Sequence, residues 1–143
     1  FGNIFGGYLT KKWVDKGITT PIKAKRALIS ICAILAAIVV CAVPLVKGLA
    51  ITLLLLTLAL CFISAITGSA WALAGDIAPP SMVASVGAIQ NFGGYFGGAF
   101  SPVVAGMIVD ATGSYSLAFI SGGLIAGCAA ICYWFIVKHP IHE

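Results

Sequence analysis

The stretch "GLAITLLLLTLALCFISAITGSAWALAG", residues 48–75, runs 28 positions without one charged side chain. An α-helix rises about 1.5 Å per residue, so roughly 20 residues cross the ~30 Å of bilayer hydrocarbon. The stretch is long enough. Three more uncharged runs flank it, at 27–46, 77–109 and 111–137, and between Lys47 and Lys138 only Asp76 and Asp110 carry charge. One such run fits a buried core helix; four in succession do not.

Composition agrees. Hydrophobic residues make up 61% of the chain, charged residues 8%, and the mean hydropathy is +1.12. A soluble domain carries roughly 25% charged residues, so this supply builds no water-facing surface. The expected fold class is all-α integral membrane, with transmembrane helices over 27–46, 50–74, 83–109 and 115–137. Residues 1–9 (FGNIFGGYL) read as the end of a further, truncated transmembrane helix, and no signal-peptide pattern precedes them. The chain therefore reads as a fragment of a larger membrane protein.

Orientation follows from the bias of short cytoplasmic loops toward Lys and Arg. Segment 10–26 holds Lys11, Lys12, Lys16, Lys23, Lys25 and Arg26 against the single acid Asp15. That basic loop is expected to be cytoplasmic, as is the tail 138–143 after four crossings. The net charge of +4 is thus a topology signal, and no nucleic-acid partner is expected. The five cysteines all fall within spans and form no CxxC, which suits small apolar packing. His139 and His142 give an HxxH on a Pro-interrupted tail; two ligands without support make no metal site.

The spans differ in kind. The first and last hold few side chains that need a hydrogen-bond partner and read as outer scaffold helices, with Tyr133 and Trp134 suited to the cytoplasmic interface. In the second, Ser64, Thr67, Gly68, Trp71 and Gly75 fall within an arc of about 100° at ~100° per residue. Trp71 suits either an interface anchor or a ring stacked on a ligand with its N–H as donor.

The third span carries "GAIQNFGGYFGGAFSP", residues 87–102. Gly87, Gly94, Gly98, Pro102 and Ala105 lie within about 60° of Asn91 around the helix, with Tyr95 at about 40° and Gln90 at about 100°. Phe92, Phe96 and Phe100 take the opposite side. Gly94-x-x-x-Gly98 permits close helix approach, while Gly94, Gly98 and Pro102 lower the resistance to bending. A single asparagine facing another helix would contribute only about 1 kcal/mol, so Asn91 either glues two helices or lines a wet pathway. No Asp, Glu, His, Lys or Arg lies deep within any span, so a proton-coupling group is expected outside this chain.

Three stretches bear a family likeness: "GGYLTKKWVDKG" (6–17) with "AKR" (24–26), "WALAGDIAP" (71–79), and "GAIQNFGGYFGGAFSPVVAG" (87–106). They resemble, in order, the loop between helices eight and nine, the end of helix ten, and helix eleven of a major facilitator superfamily transporter. The branch most similar is the anion:cation symporters, which include sugar-acid carriers for glucarate and galactonate. The resemblance implies a twelve-helix fold of two six-helix bundles, of which this chain holds the end of helix eight through helix twelve. It implies that helices ten and eleven line the cavity and that nine and twelve are peripheral.

It also implies that Trp71 and Asn91 contact substrate; Gln90 and Tyr95 join them on their position alone. The loop motif maps to Gly7, Lys11, Asp15, Lys25 and Arg26. Lys11 stands where the family has Asp and Asp15 where it has a base, an inverted pair still spaced i, i+4 for an ion pair. On the cavity face, Gly68 and Ala70 stand where sugar-acid carriers tend to have hydroxyls, which leaves room for a bulkier or less hydroxylated substrate. The expected function is a secondary active transporter, H⁺-coupled, moving a small organic anion by alternating access. Its partners are that anion, protons, the lipid bilayer and the missing N-terminal half; no cofactor or catalytic residue is expected. The rival reading is a self-contained four-helix membrane interaction or scaffold protein. An intramembrane enzyme is disfavoured, since no acid pair, Ser–His arrangement or metal-ligand set lies within the spans.

Overall fold

Hydrocarbon offers no water to backbone N–H and C=O groups, so a spanning segment satisfies them within itself, and a helix does so. The computed structural model of the chain describes residues 1–136, and it is helical nearly throughout. Helix α1 covers Gly2–Asp15, α2 Pro21–Ala42, α3 Leu49–Ile77, α4 Val83–Thr112 and α5 Tyr115–Ile136, with a 3-10 turn at Val43–Leu45. Four of them, α2 to α5, are long and apolar enough to cross a membrane. The expected tail 138–143, with His139 and His142, lies outside the described residues.

Helix ends differ from the expected bounds. The first helix runs on past residue 9 to Asp15, and α2 begins at Pro21 rather than at 27. The expected loop 10–26 therefore shrinks to residues 16–20. Proline at the first helical position presets φ and lacks only an N–H that would be unpaired anyway. Lys23, Lys25 and Arg26 then ride on the first turns of α2, where long stems let charged heads reach the interface. Charge marks the edge of the hydrocarbon, and the helix continues beyond it. For the same reason α3 and α4 run to Ile77 and Thr112, three residues past the expected ends at 74 and 109. The stops are chemical. Ala78 turns extended before Pro79–Pro80, and Gly113 closes α4 at φ 65°, its N–H donating to the Val109 carbonyl at 2.7 Å.

Helix α2 was expected to lie outside, yet it is the hub of the described helices, packed against α1, α3 and α5. Lipid tails are as apolar as leucine, so association in a bilayer depends on close van der Waals approach rather than on escape from water. Small residues supply that approach. Ala24, Cys32, Ala33 and Ala36 are buried along α2 beside Leu28 and Ile29. Leu28 and Cys32 pack with Ala65 of α3, and Ile29 packs with Ala70 and Leu73. A Cβ on Gly6 of α1 would stand 3.2 Å from the Ala65 Cβ, and one on Gly123 of α5 would stand 3.2 Å from the Ala37 carbonyl oxygen of α2. The buried Ser30 hydroxyl donates to the Ala130 carbonyl at 3.2 Å, a polar tie from α2 to α5.

Helix α4 stands apart. Gly87 is its one buried residue among those described, and it meets only α3 and α5, each lightly. Its phenylalanines form a ladder, Phe92 to Phe96 at 5.5 Å and Phe96 to Phe100 at 5.0 Å between ring centroids, on an exposed face. The close approach expected at Gly94-x-x-x-Gly98 is not made among the described residues. Open space lies against Gly93, Gly94, Gly97 and Gly98. Small residues permit an approach; they do not supply a partner.

Adjacent glycines on α5 separate packing from helix propensity. Gly123→Val is expected to destabilise the α2–α5 contact by about 1–3 kcal/mol through overpacking. Gly122→Val, with nothing within contact of its Cβ position, carries the same propensity change and is expected to do less. Thermal unfolding of the full-length protein in detergent compares the two, and equal loss would contradict this packing.

Candidate functional site

Helix α3 distributes its polar face between two neighbours. Ser64 and Gly68 turn to α1: Ser64 lies against Gly2, and the Asn3 side-chain oxygen stands 2.7 Å from where a Gly68 Cβ would be. Gly68 therefore gives no room to a cavity beside Trp71, as its place in the sequence suggested; Asn3 fills that space. Thr67, Ala70 and Trp71 turn to α4. The Thr67 hydroxyl is spent on the Ile63 carbonyl at 3.0 Å, one turn back.

Between α3, α4 and α5 lies an open cavity of about 430 Å³. Thr67, Ala70 and Trp71 line it from α3, Gln90, Asn91, Gly94 and Tyr95 from α4, and Tyr133 from α5. All four expected contact residues thus share one cavity, Gln90 included, although it lies about 100° from Asn91 on the helix. The reason is breadth: a cavity this wide spans two edges of a helix. Gly94 lines it, while Gly98 and Pro102 sit one and two turns farther along α4, outside that lining.

Trp71 and Asn91 also border a second cavity of about 360 Å³ toward the turn that joins α3 to α4, lined by Gly75, Val83, Ala84, Gly87 and Ala88. The indole is half exposed and stands between the two spaces. A Cβ on Gly87 would meet its ring at 3.4 Å, ordinary contact, so α4 comes close to the indole at this position. The residues lining both cavities are neutral. They offer an aromatic face, an indole N–H, two carboxamides that donate and accept, and two phenols. That set can hold a polyhydroxylated or carboxylated molecule of a few carbons by stacking and hydrogen bonding.

The loop motif assembles elsewhere. Gly7, Lys11, Asp15 and Lys25 line a cavity of about 350 Å³ between α1 and α3, with Asn3 and Ser69. The expected Lys11–Asp15 pair is not formed. The ion pair among the described residues joins Lys25 Nζ to Asp76 Oδ2 at 2.7 Å, and the same ammonium donates to the Ala72 carbonyl at 3.2 Å. It ties the start of α2 to the end of α3, where a cation suits the negative helix end. Arg26 lies over the Trp134 ring, 4.9 Å from its centroid, and Lys12 lies 5.7 Å from that of Tyr8. Sequence reasoning missed the choice of Lys25. The sequence does show Asp76 as one of only two charges between Lys47 and Lys138, with Asp15 the acid among the six cations of segment 10–26. Tyr133 was read with Trp134 as an interface residue, yet one turns to the cavity and the other to Arg26.

The sequence profile of the Major Facilitator Superfamily matches residues 1–143. A probable L-galactonate transporter of Escherichia coli (strain K12) is 34% identical over 142 residues, covering 99% of this chain and 31% of the relative. A hexuronate transporter of Bacillus subtilis (strain 168) is 28% identical over 130 residues, 91% of this chain and 30% of the relative. A probable sulfoacetate transporter of Cupriavidus necator is 35% identical over 83 residues, 58% of this chain and 19% of the relative. The chain spans about a third, 31% and 30%, of the length of the first two. No solved structure matches.

The Lys25–Asp76 pair is partly buried, its side chains 18% and 27% exposed. A double-mutant cycle with Lys25→Met and Asp76→Asn is expected to give a coupling of about 0.5–1 kcal/mol in thermal stability. The same cycle on Lys11 and Asp15 is expected to give none. The reverse order would place the working pair on α1.

Proposed function

The chain belongs to the major facilitator superfamily, and from that premise we propose that it is part of a secondary active transporter for a small organic anion. The reading rests chiefly on one observation, the neutral cavity that gathers Trp71, Gln90, Asn91 and Tyr95 inside a set of membrane-crossing helices. The named relatives are a probable L-galactonate transporter, a hexuronate transporter and a probable sulfoacetate transporter, and the molecules in those names are carboxylates or sulfonates of few carbons. A sugar acid or related carboxylate is the substrate class we assign.

Each side chain has a physical role in this reading. The Trp71 indole stacks on the carbon face of the substrate, whose C–H groups are its apolar surface. The Asn91 carboxamide donates to hydroxyl or carboxylate oxygens and accepts from hydroxyls, with Gln90 and the Tyr95 phenol beside it. An anion in a low-dielectric site needs a cation, and none lines this cavity. Lys25 is held by Asp76 on the α1 side. The neutralising cation and the proton site are therefore assigned to the part of the fold outside this chain.

Alternating access needs a wall that moves. Helix α4 has few contacts, open space against Gly93, Gly94, Gly97 and Gly98, and Pro102 in its interior. We assign it the bending and rolling that exchange outward- and inward-open states, with Gly94, Gly98 and Pro102 as the yielding positions. The basic end carrying Lys11, Lys12, Lys16, Lys23, Lys25 and Arg26 is assigned to the cytoplasm. Coupling to protons follows the resemblance to the anion symporter branch.

Trp71→Ala and Asn91→Ala are each expected to lower uptake of L-galactonate or D-glucuronate into proteoliposomes at least tenfold, with normal membrane abundance. Loss of stacking or of a charged hydrogen bond is of that size. If both variants transport with unchanged affinity, the site lies elsewhere.

A further inference from the structure

We propose that Tyr133 of α5 supplies a further hydrogen bond to the bound anion, from a helix that the family resemblance makes peripheral. The inference rests on the substrate reading of the α3/α4 cavity. Three observations carry it. Tyr133 lines that cavity together with Trp71 and Asn91. It packs on the buried cluster of Ile29, Ala70 and Leu73, the contact that joins α2 to α3. And its side chain is half-buried, while its hydroxyl has no hydrogen-bond partner among the described residues.

A phenol is apolar along its ring and polar at its tip, and a tip with no protein partner is open to a polar ligand. Ile29, Ala70 and Leu73 offer a hydroxyl no hydrogen bond, while the cavity that Tyr133 lines is open to a polar ligand. Packing on α2 and α3 also fixes the ring in place. A hydroxyl held this way has little freedom to lose on binding, and its bond is worth more for it. Asn91 and Tyr95 sit on loosely packed α4, whereas Tyr133 and Trp71 belong to the firmly packed side. Tyr133 thus gives the substrate a fixed polar contact opposite the wall assigned to move. Being neutral, it recognises hydroxyl or carboxylate oxygens and adds no charge for the proton-coupled step to balance.

Tyr133→Phe in the full-length protein deletes the hydroxyl and keeps the ring packing. Uptake into proteoliposomes is measured with two probes, L-galactonate and D-glucuronate. For the probe carried, KM is expected to rise about tenfold, the loss typical of a hydrogen bond to a charged group, with the maximal rate within about twofold and thermal stability unchanged. An unchanged KM overturns the inference, as does a lowered maximal rate and stability with KM constant, which marks a purely structural tyrosine. Trp71→Ala in the same assay separates the two readings. If it abolishes uptake while Tyr133→Phe leaves KM alone, the site stands and this inference falls. If neither variant changes KM, or wild type carries neither probe, both fall.

Discussion

Hydrocarbon will not solvate a peptide group, and every other feature of this chain is arranged around that refusal. Satisfying the backbone internally commits α2 to α5 to long helices, and it leaves polar side chains as the only variable groups at membrane depth. Most of those are quieted locally. Thr52, Thr57, Thr67 and Thr112 each donate to a carbonyl one turn back, and Ser30 ties α2 to α5. The carboxamides of Gln90 and Asn91 and the phenols of Tyr95 and Tyr133 are not absorbed this way, and all four line one cavity.

That cavity has two unlike walls. Ala70 and Tyr133 pack on Ile29 and Leu73, so one wall is continuous with the buried seam around α2. The other is α4, which touches α3 at Gly87, meets α5 lightly, and is otherwise flanked by open space and an exposed phenylalanine ladder. Packed interiors resist deformation, while an interface with few contacts costs little to rearrange. A firmly packed wall thus carries the indole and a loosely packed one the carboxamides.

How much of this was legible beforehand depended on the kind of signal. The spans were readable because charge exclusion is a property of the sequence, and Asn91's face was readable because helical period fixes which residues lie together. Helix ends were less so, since Lys23, Lys25 and Arg26 sit on α2 and keep their charges at the interface by length of side chain. What periodicity cannot give is the identity of the neighbour. Gly68 was read as cavity space and is filled by Asn3; Gly94 and Gly98 were read as a helix contact and meet none among the described residues. Tyr133 and Trp134 look equivalent as an aromatic pair, but one step of about 100° sends them to different surroundings. The comparisons extend over the whole chain and fix the family, while a coverage of 31% leaves the activity of the whole protein to experiment.

The central claim is that the Asn91 face of α4 is wet and occupied by substrate while the phenylalanine face is buried in lipid. Cysteine accessibility tests it directly. In a background with Cys32, Cys41, Cys61, Cys128 and Cys132 replaced, single cysteines are placed at 91, 94, 92, 96 and 100 and treated with a charged, membrane-impermeant methanethiosulfonate. Cysteines at 91 and 94 should react, and L-galactonate or D-glucuronate should protect them. Cysteines at 92, 96 and 100 should stay unmodified. Equal reaction on both faces, or no protection by either sugar acid, would contradict the account.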